Sequence, residues 1–312
     1  MENITKSSCF NGEPNAKDLA YFISLQEYRP PESPEHSAAK WDRRAEAWEK
    51  EDSHCKQTKS DERIQETVAY LKSRKLLRRY QKVADIGCGP GRFAVEFGKS
   101  SRYVEGFDIS PRMIHYGQER AKQAEMDHVA FRVCDFQTLD IEKEGLVGKF
   151  DLVFSSLTPA IHGMDGLKKS MAMSRAWCCH VTHISSENKL EQQIMREVFH
   201  RDRPTVWSGG WFYSLFNVLF LMGYDPETSY YNRHQERRIV PDEHYVDLFL
   251  EHMLPAAEQT PENKALVWAW IREHTDADGM LTEISDTSYG RLLWDVRRVT
   301  KRSDYRPAEW ED

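Results

Sequence analysis

The sequence predicts an α/β fold with a mostly parallel sheet flanked by helices. Two observations predict it. Short apolar runs alternate with helical stretches between residues 82 and 184, and the first run leads into a glycine-rich loop at 87–91. Because parallel strands are joined by crossover helices, this alternation is typical of a sheet covered on both faces. The chain of 312 residues is long enough for one such domain with additions.

The strands are predicted from short apolar runs and the helices from apolar residues at helical spacing. The predicted strands cover 82–86, 103–107, 129–133, 150–154 and 177–184, and the predicted helices cover 92–99, 111–124 and 167–174. One further strand is predicted at 290–299. Residues 225–285 carry mixed helical patterns interrupted by prolines, so we predict an insertion before the last strand.

Four segments follow from this pattern. Residues 1–75 are predicted to form an N-terminal arm with helices at about 35–50 and 61–77, and residues 76–188 form the core. Residues 189–285 are predicted to form a helical and aromatic insertion, which includes a buried helix at 206–222. We expect this insertion to be a substrate cap. Residues 286–312 form the last strand and a tail.

Composition limits the function classes. The net charge of −7 gives no global attraction to a phosphate backbone, so nucleic acid is not the expected partner. The first eight residues lack the apolar stretch of a secretory signal, and no run reaches the roughly 18 apolar residues of a membrane span. Six dispersed cysteines indicate reduced thiols. We expect a cytoplasmic protein without membrane partners; its oligomeric state is left open.

The segment 85–91 reads DIGCGPG and follows the first predicted strand. Glycines at such a strand end let backbone N–H groups approach a ligand, and the chain turns into a helix whose N-terminus favours anionic groups. A dinucleotide fingerprint requires a glycine where Arg92 stands, and a P-loop requires Gly-Lys-Ser/Thr. The spacing therefore disfavours both classes.

The second and third strands also end on acidic residues. Asp108 ends the second strand, and a carboxylate there can accept hydrogen bonds from both hydroxyls of a ribose. Asp135 ends the third strand. A single Asp in such a place is more often a loop residue or a helix cap, but acids at successive strand ends favour a ligand site in the crevice that they share.

These motifs resemble those of the Rossmann-like (class I) S-adenosylmethionine-dependent methyltransferases, over roughly residues 38–185. That family places an acid before G-x-G-x-G, an acid-x-Ser turn with a following Met, a third acid, and an F-D-L-V strand, here 150–153. The resemblance implies a seven-stranded Rossmann-like methyltransferase fold and S-adenosyl-L-methionine as cofactor. It assigns to the cofactor site Asp85, Gly87, Cys88, Gly89, Gly91, Asp108, Ile109, Met113, Asp135, Phe136 and Ser155.

The segment 155–162 borders the acceptor in the resembling enzymes. Enzymes that methylate bases or glutamine amides have Asn or Asp, Pro, Pro and an aromatic residue there, whereas this chain has Thr158 followed by Pro and Ala. We therefore predict a small-molecule acceptor. His162 is the candidate general base, although a lone histidine is more often a surface or capping residue. Thr158, Trp41 and Trp211 are candidate substrate residues.

Three alternatives stay open at this point. A sensor or partner subunit would keep the cofactor pocket without catalysis, and a nicotinamide-dependent oxidoreductase is disfavoured only by Arg92. A zinc site at 178–183 (CCHVTH) is disfavoured, because His180 and His183 point to opposite faces of a strand, and we predict no metal. We further expect the arm around Lys40, Trp41 and Arg44 to cover the cofactor as a lid.

Overall fold

The computed structural model describes residues 16–26, 37–45, 62–202, 206–207 and 209–300. These residues belong to two compact units. The first unit takes in the chain up to Thr182 together with Gly210–Ser229 and the chain from Gly290 onward. The second unit consists of His183–Gly209 and Tyr230–Tyr289. Three strands cross the boundaries between these ranges.

The strands are β1 (Lys82–Ile86), β2 (Tyr103–Asp108), β3 (Val129–Val133), β4 (Phe150–Ser156), β5 (Ser174–Asn188), β6 (Val206–Trp207), β7 (Glu227–Ile239) and β8 (Leu281–Asp295). The helices are α1 (Ala16–Gln26), α2 (37–45), α3 (Glu62–Ser73), α4 (Arg92–Gly98), α5 (Pro111–Gln123), α6 (Gly163–Met173), α7 (Lys189–Phe199), α8 (Gly210–Leu221), α9 (Glu243–Met253) and α10 (Pro261–His274). A short 3₁₀ turn (Ala256–Glu258) lies between α9 and α10.

The strand order is β3-β2-β1-β4-β5-β8-β7, and β6 pairs with β5 in addition. The pairs β1·β2, β1·β4, β2·β3 and β4·β5 are all parallel. The predicted Rossmann-like α/β fold with a mostly parallel sheet is thereby confirmed, with seven strands along the main path. The carboxyl ends of β1, β2, β3 and β4 meet at one edge, which is where ligands bind in such sheets.

The core of the first unit explains why the β1–α4 segment folds as it does. Phe93 and Phe97 are four residues apart on α4, and both rings contact Phe154 of β4, with centroids 4.8 and 5.0 Å away. Phe97 and Phe154 are completely buried. Because this cluster fixes α4 against the sheet, the loop between β1 and α4 is held at both of its ends.

Side-chain contacts in the second unit show that β7 and β8 run antiparallel. Ser288 Oγ donates to Asn232, His234 bonds Asp286, and Arg237 bonds Glu283, so rising numbers on β7 meet falling numbers on β8. Helices α7, α9 and α10 share one apolar core. Its completely or almost completely buried members include Ile194, Val246, Phe249, Val267 and Ile271.

Several predicted elements need correction. Strand β7 lies within the segment predicted as helical, because its half-buried positions Tyr231, Arg233 and Gln235 are mostly polar and give no apolar alternation. Strand β8 begins at Leu281 rather than at residue 290, and β5 continues past 184 to Asn188 through serines and a glutamate. The predicted helix at 206–222 begins at Gly210, after the short strand β6.

The first helix, α1, has no counterpart in the predicted elements of the arm. It packs on α8, where Ser214 Oγ donates to the carbonyl oxygen of Phe22 at 2.6 Å and the Phe22 ring meets Tyr213. Long-range packing of this kind stabilises a short helix whose own sequence pattern is weak. Among the described residues, no helix is long and apolar enough to cross a membrane.

Candidate active site

The glycine loop after β1 has the backbone conformation that its sequence demands. Gly87, Gly89 and Gly91 have φ angles of +67°, +53° and +75°, values that residues with a Cβ rarely adopt. The N–H groups of Gly87 and Cys88 both donate to the carbonyl oxygen of Phe107, at 2.8 and 3.0 Å. The loop is therefore tied to the end of β2.

Asp108, at the end of β2, organises the neighbouring turn. Its Oδ2 accepts a hydrogen bond from the Gly89 N–H at 2.8 Å, and its Oδ1 accepts one from the Ser110 N–H at 2.9 Å. Burial raises the pKa of Asp108, although these backbone donors oppose the rise. Each oxygen retains further acceptor capacity, so the carboxylate can still receive hydroxyl groups.

The remaining residues of this turn differ in exposure. Ser110 Oγ accepts from the Met113 N–H at 3.1 Å and caps α5, which begins at Pro111. The Met113 side chain is buried in the core, whereas Ile109 is half-buried. Of the two, Ile109 is the one whose side chain retains exposed surface next to Asp108.

Asp85 is the least compensated acid at this edge of the sheet. It is 2% exposed, and its Oδ2 has no hydrogen-bond partner among the described residues. Burial, reinforced by the nearby Asp108 charge and opposed by Arg63, raises the pKa of Asp85 to about 8. A buried acceptor without a donor costs about 1–3 kcal/mol, and a ligand that brings a donor or a cation recovers it.

Arg63 is a site residue that the sequence analysis missed. Its guanidinium donates to Ser156 Oγ at 3.1 Å, lies 5.1 Å from the centre of the Phe93 ring, and is close enough to Asp85 to lower that pKa. It comes from α3, 22 residues before Asp85, and no local motif marks it. The fold thus adds a cation beside the carboxyl ends of β1 and β4.

Asp135 and Phe136 follow β3. Asp135 Oδ1 accepts from the Gln137 N–H at 3.0 Å and holds a tight turn, and the Asp135 side chain is half-buried. Phe136 is 3% exposed, and Lys169 of α6 donates to its carbonyl oxygen at 2.9 Å. The turn is therefore rigid, which suits a wall of a binding site.

Ser155, near the carboxyl end of β4, belongs to a hydrogen-bonded series of three side chains, two of them buried and one half-buried. Ser155 Oγ lies 2.6 Å from His180 Nδ1, and the Trp211 indole N–H donates to His180 Nε2 at 3.0 Å. Ser155 and His180 are only 2% and 3% exposed. Burial lowers the pKa of His180 to about 4, so this imidazole is neutral at physiological pH.

The predicted acceptor segment turns back over the glycine loop. Leu157 has a φ of +52°, and its N–H donates to the carbonyl oxygen of Val181. Thr158 then lies so close to Gly87 that a Cβ at that glycine would be 1.9 Å from Thr158 Oγ1. His162 is half-buried and immediately precedes α6. The structure thus brings Thr158 to the loop, while no side-chain hydrogen bond or ion pair with another described residue orients His162.

Helix α2 contacts the turn after β2. Asp42 accepts hydrogen bonds from Ser110 Oγ and, at 3.2 Å, from the Arg112 N–H. On the same helix, the Arg44 guanidinium lies 4.9 Å from the centre of the half-buried Trp41 ring. The predicted arm is therefore next to Asp108, although its role as a lid and that of Trp41 in substrate binding stay predictions.

The adjacent cysteines Cys178 and Cys179 are buried in β5, as expected for small apolar residues in a strand, and burial raises the pKa of both thiols. Cys88, in the glycine loop, is also buried. In the part of the chain that the structure describes, no group of three or more His, Cys, Asp or Glu residues is arranged to hold a metal ion.

Comparison with known proteins agrees with this geometry. A family model described as a methyltransferase domain matches residues 78–202, the range that holds the glycine loop, Asp108, Asp135 and Ser155. Residues 78–202 form a methyltransferase domain. The methyltransferase recognition made from the motifs is thereby confirmed for this range.

Curated relatives match only a short part of the chain. The 23S rRNA (uracil(1939)-C(5))-methyltransferase RlmD of Shewanella sediminis is 32% identical over 91 residues, which is 28% of this chain and 20% of that protein. The same enzyme of Shewanella woodyi matches to the same extent. The chain thus spans about a fifth of the length of the curated relatives it matches.

Solved structures are similar to the chain at a low level. The YcgJ protein of Bacillus subtilis has 12% identity and a TM-score of 0.45, with 77% of this chain and 100% of that one covered. Magnesium protoporphyrin IX methyltransferase (ChlM) of Synechocystis PCC 6803, with bound SAH, has 15% identity and a TM-score of 0.40, with coverage of 69% and 88%.

The residues at this edge of the sheet fit S-adenosylmethionine. S-adenosylmethionine carries an ammonium group, which can donate a hydrogen bond to Oδ2 of Asp85. Its carboxylate can pair with the guanidinium of Arg63, and its ribose hydroxyls can donate to the carboxylate of Asp108. These three side chains lie at the ends of β1 and β2 or beside β4. The individual assignments remain proposals.

Proposed function

We propose that the protein transfers a methyl group from S-adenosylmethionine to a small-molecule acceptor. The observation that carries this proposal is the buried Asp85, whose Oδ2 has no hydrogen-bond partner among the described residues, beside a glycine loop that is hydrogen-bonded to Asp108. This combination supports a cofactor with a cationic amino-acid end and a ribose. The methyltransferase activity of the chain and the identity of its acceptor both belong to this proposal.

The adenosine half of the cofactor is assigned to the ends of β2 and β3. Asp108 would accept both ribose hydroxyls, Ile109 would pack on the adenine ring, and Asp135 would accept the adenine amino group. Because the strand order is β3-β2-β1-β4, a cofactor so placed extends toward β1 and β4. Its methionyl end then lies beside Asp85, Arg63 and the segment after β4.

The bound cofactor supplies a methyl group on a sulfonium, which is open to in-line displacement. The chain's own residues position the acceptor and exclude water from the site. Thr158, packed on Gly87, and Trp41 are proposed to border the acceptor. His162 is proposed to take a proton from an acceptor that carries one on its nucleophilic atom.

A small acceptor is supported by how the basic residues are used. Arg237 pairs with Glu283 at 2.6 Å and Arg238 pairs with Asp276, so these two guanidinium groups are neutralised within their own unit. The net charge of −7 acts in the same direction. The Shewanella relatives are named for an RNA substrate, but this chain covers only a fifth of their length. Methylation of RNA is therefore treated as an alternative outcome of the test below.

Methyl transfer from radiolabelled S-adenosylmethionine into two fractions of one cell extract, total RNA and molecules below about 1 kDa, tests the proposal. We expect label in the small-molecule fraction, unchanged by ribonuclease. Asp108→Ala should abolish this labelling. Asp140→Asn should leave it unchanged, because Asp140 is an exposed residue that pairs with Lys143. Label in RNA, or none in either fraction while the cofactor binds, would contradict the small-molecule assignment.

A further inference from the structure

We propose that His180 and Trp211 are positioning residues that hold the Ser155 hydroxyl as a hydrogen-bond donor to the carboxylate of the cofactor. This inference rests on the proposed function, because it uses the cofactor placement given there. It adds two residues outside the glycine loop and its acids to the site, and it assigns a direction to the hydroxyl of Ser155.

The direction of the hydrogen bond between Ser155 and His180 follows from the donor on the other side of the imidazole, Trp211. An indole nitrogen can only donate, so the Trp211 N–H at 3.0 Å requires an unprotonated His180 Nε2. A neutral imidazole carries its single proton on the other nitrogen, which is Nδ1. Nδ1 therefore donates to Ser155 Oγ, 2.6 Å away. The tautomer is assigned from this network.

Ser155 Oγ accepts from His180 and is left with its own proton to donate. Ser155, the penultimate residue of β4, is in register with Ile86, the residue that immediately precedes the glycine loop. In the proposed placement, the methionyl end of the cofactor lies at this junction of β1 and β4. Its carboxylate accepts hydrogen bonds and carries no proton, so a hydroxyl fixed as a donor matches it.

The same network argues against His180 as a general base. The nitrogen that faces Ser155 already holds a proton, and the lone pair of the other nitrogen is occupied by Trp211. A Ser-His pair at this distance is the arrangement of activated serine nucleophiles, in which the imidazole accepts the serine proton. Here the donor-only indole reverses the direction, and Ser155 is a binding group.

The test compares two ligands by calorimetry on the full-length chain. S-adenosylhomocysteine has the methionyl carboxylate, and 5′-methylthioadenosine lacks the whole amino-acid end. Ser155→Ala and His180→Leu should each weaken S-adenosylhomocysteine binding by about tenfold, the loss expected for a hydrogen bond to a charged group, and leave 5′-methylthioadenosine unchanged. Ser214→Ala, another completely buried serine on a backbone carbonyl, is the matched control.

His180→Asn should restore most of the affinity, because its amide nitrogen can donate from about the place of Nδ1. The double variant Ser155→Ala/His180→Leu should lose no more than either single variant, as expected when one residue acts through the other. In ¹⁵N-histidine NMR spectra of the unmutated protein, His180 should carry its proton on Nδ1 and stay neutral from pH 5.5 to 8. Trp211→Phe should release this fixed tautomer.

Equal losses for both ligands, or a proton on Nε2, would overturn the inference. Should His180→Leu fail to fold, Ser155→Ala and the NMR tautomer still decide the matter. Absence of S-adenosylhomocysteine binding by the unmutated chain would instead defeat the proposed function. Binding that Ser155→Ala leaves intact would defeat this inference alone.

Discussion

At the scale of single residues, the site depends on groups whose burial shifts their protonation. Asp85 keeps its proton in the folded chain up to about pH 8, whereas an exposed carboxyl loses its proton near pH 4. Between these values the folded state binds more protons than the unfolded state. The contribution of Asp85 to stability therefore falls as the pH rises from about 4 to 8.

Asp85→Asn removes this pH dependence. Compared without ligand, the variant should gain stability relative to the unmutated chain between pH 5 and pH 8. The difference between their free energies of unfolding should change in favour of the variant by up to about 1.4 kcal/mol for each pH unit in that window. Urea unfolding at both pH values measures it. A difference that is constant with pH would show that Asp85 titrates normally in the folded chain.

Gly87 is constrained by both backbone conformation and contact. Gly87→Ala meets a φ of +67° and Thr158 Oγ1 at 1.9 Å, whereas Gly145→Ala meets a similar φ of +63° with nothing within 4 Å. The control should lose only the strain of a left-handed residue, about 1–2 kcal/mol. We expect Gly87→Ala to lose clearly more in urea unfolding; equal losses would mean that Thr158 does not pack there.

At the scale of elements, helix α2 is tied to the turn after β2 through Asp42. If α2 covers the cofactor, Asp42→Ala should weaken S-adenosylhomocysteine binding several-fold, since the freed helix must be ordered on binding. Arg43→Ala, at an exposed position of the same helix, should leave binding unchanged. Calorimetry measures both.

These point variants are more informative than deleting residues 1–50. The deletion would also remove α1, which packs on α8, so weaker binding could result from lower stability as well as from loss of the lid. Equal affinities for Asp42→Ala and the unmutated chain would contradict a covering role for α2.

Elements with apolar patterns could be predicted from the sequence. Strands β1 and β3 have their predicted bounds, because each is a short, mostly apolar segment that is followed by loop residues. Strand β7 could not be predicted, since its half-buried positions are mostly polar and are covered by neighbouring strands. Tertiary pairing, which no local pattern encodes, overrides the weak local preference there.

The same distinction applies to the site. The acids and glycines at strand ends are contiguous motifs, so Asp85, Asp108 and Asp135 could be named from the sequence. Arg63 reaches Ser156 across 93 positions of the chain, and Asp42 reaches Ser110 across 68. Contacts of that range arise from the fold and leave no trace in local spacing.

At the scale of the whole molecule, the second compact unit contains most of β7, most of β8 and helices α7, α9 and α10, and the methyltransferase match at 78–202 extends into it through α7. The segment 189–285 was predicted to be a substrate cap, and most of the second unit lies within it. That role stays a prediction.

The central claim is that the crevice at the ends of β1, β2 and β4 binds S-adenosylmethionine. Calorimetric titration of the full-length chain with S-adenosylhomocysteine, and separately with NAD, tests it most directly. We expect about one S-adenosylhomocysteine per chain, at least about tenfold weaker binding by Asp108→Ala, and no binding of NAD. Binding of NAD, or affinity for S-adenosylhomocysteine that Asp108→Ala leaves unchanged, would contradict it.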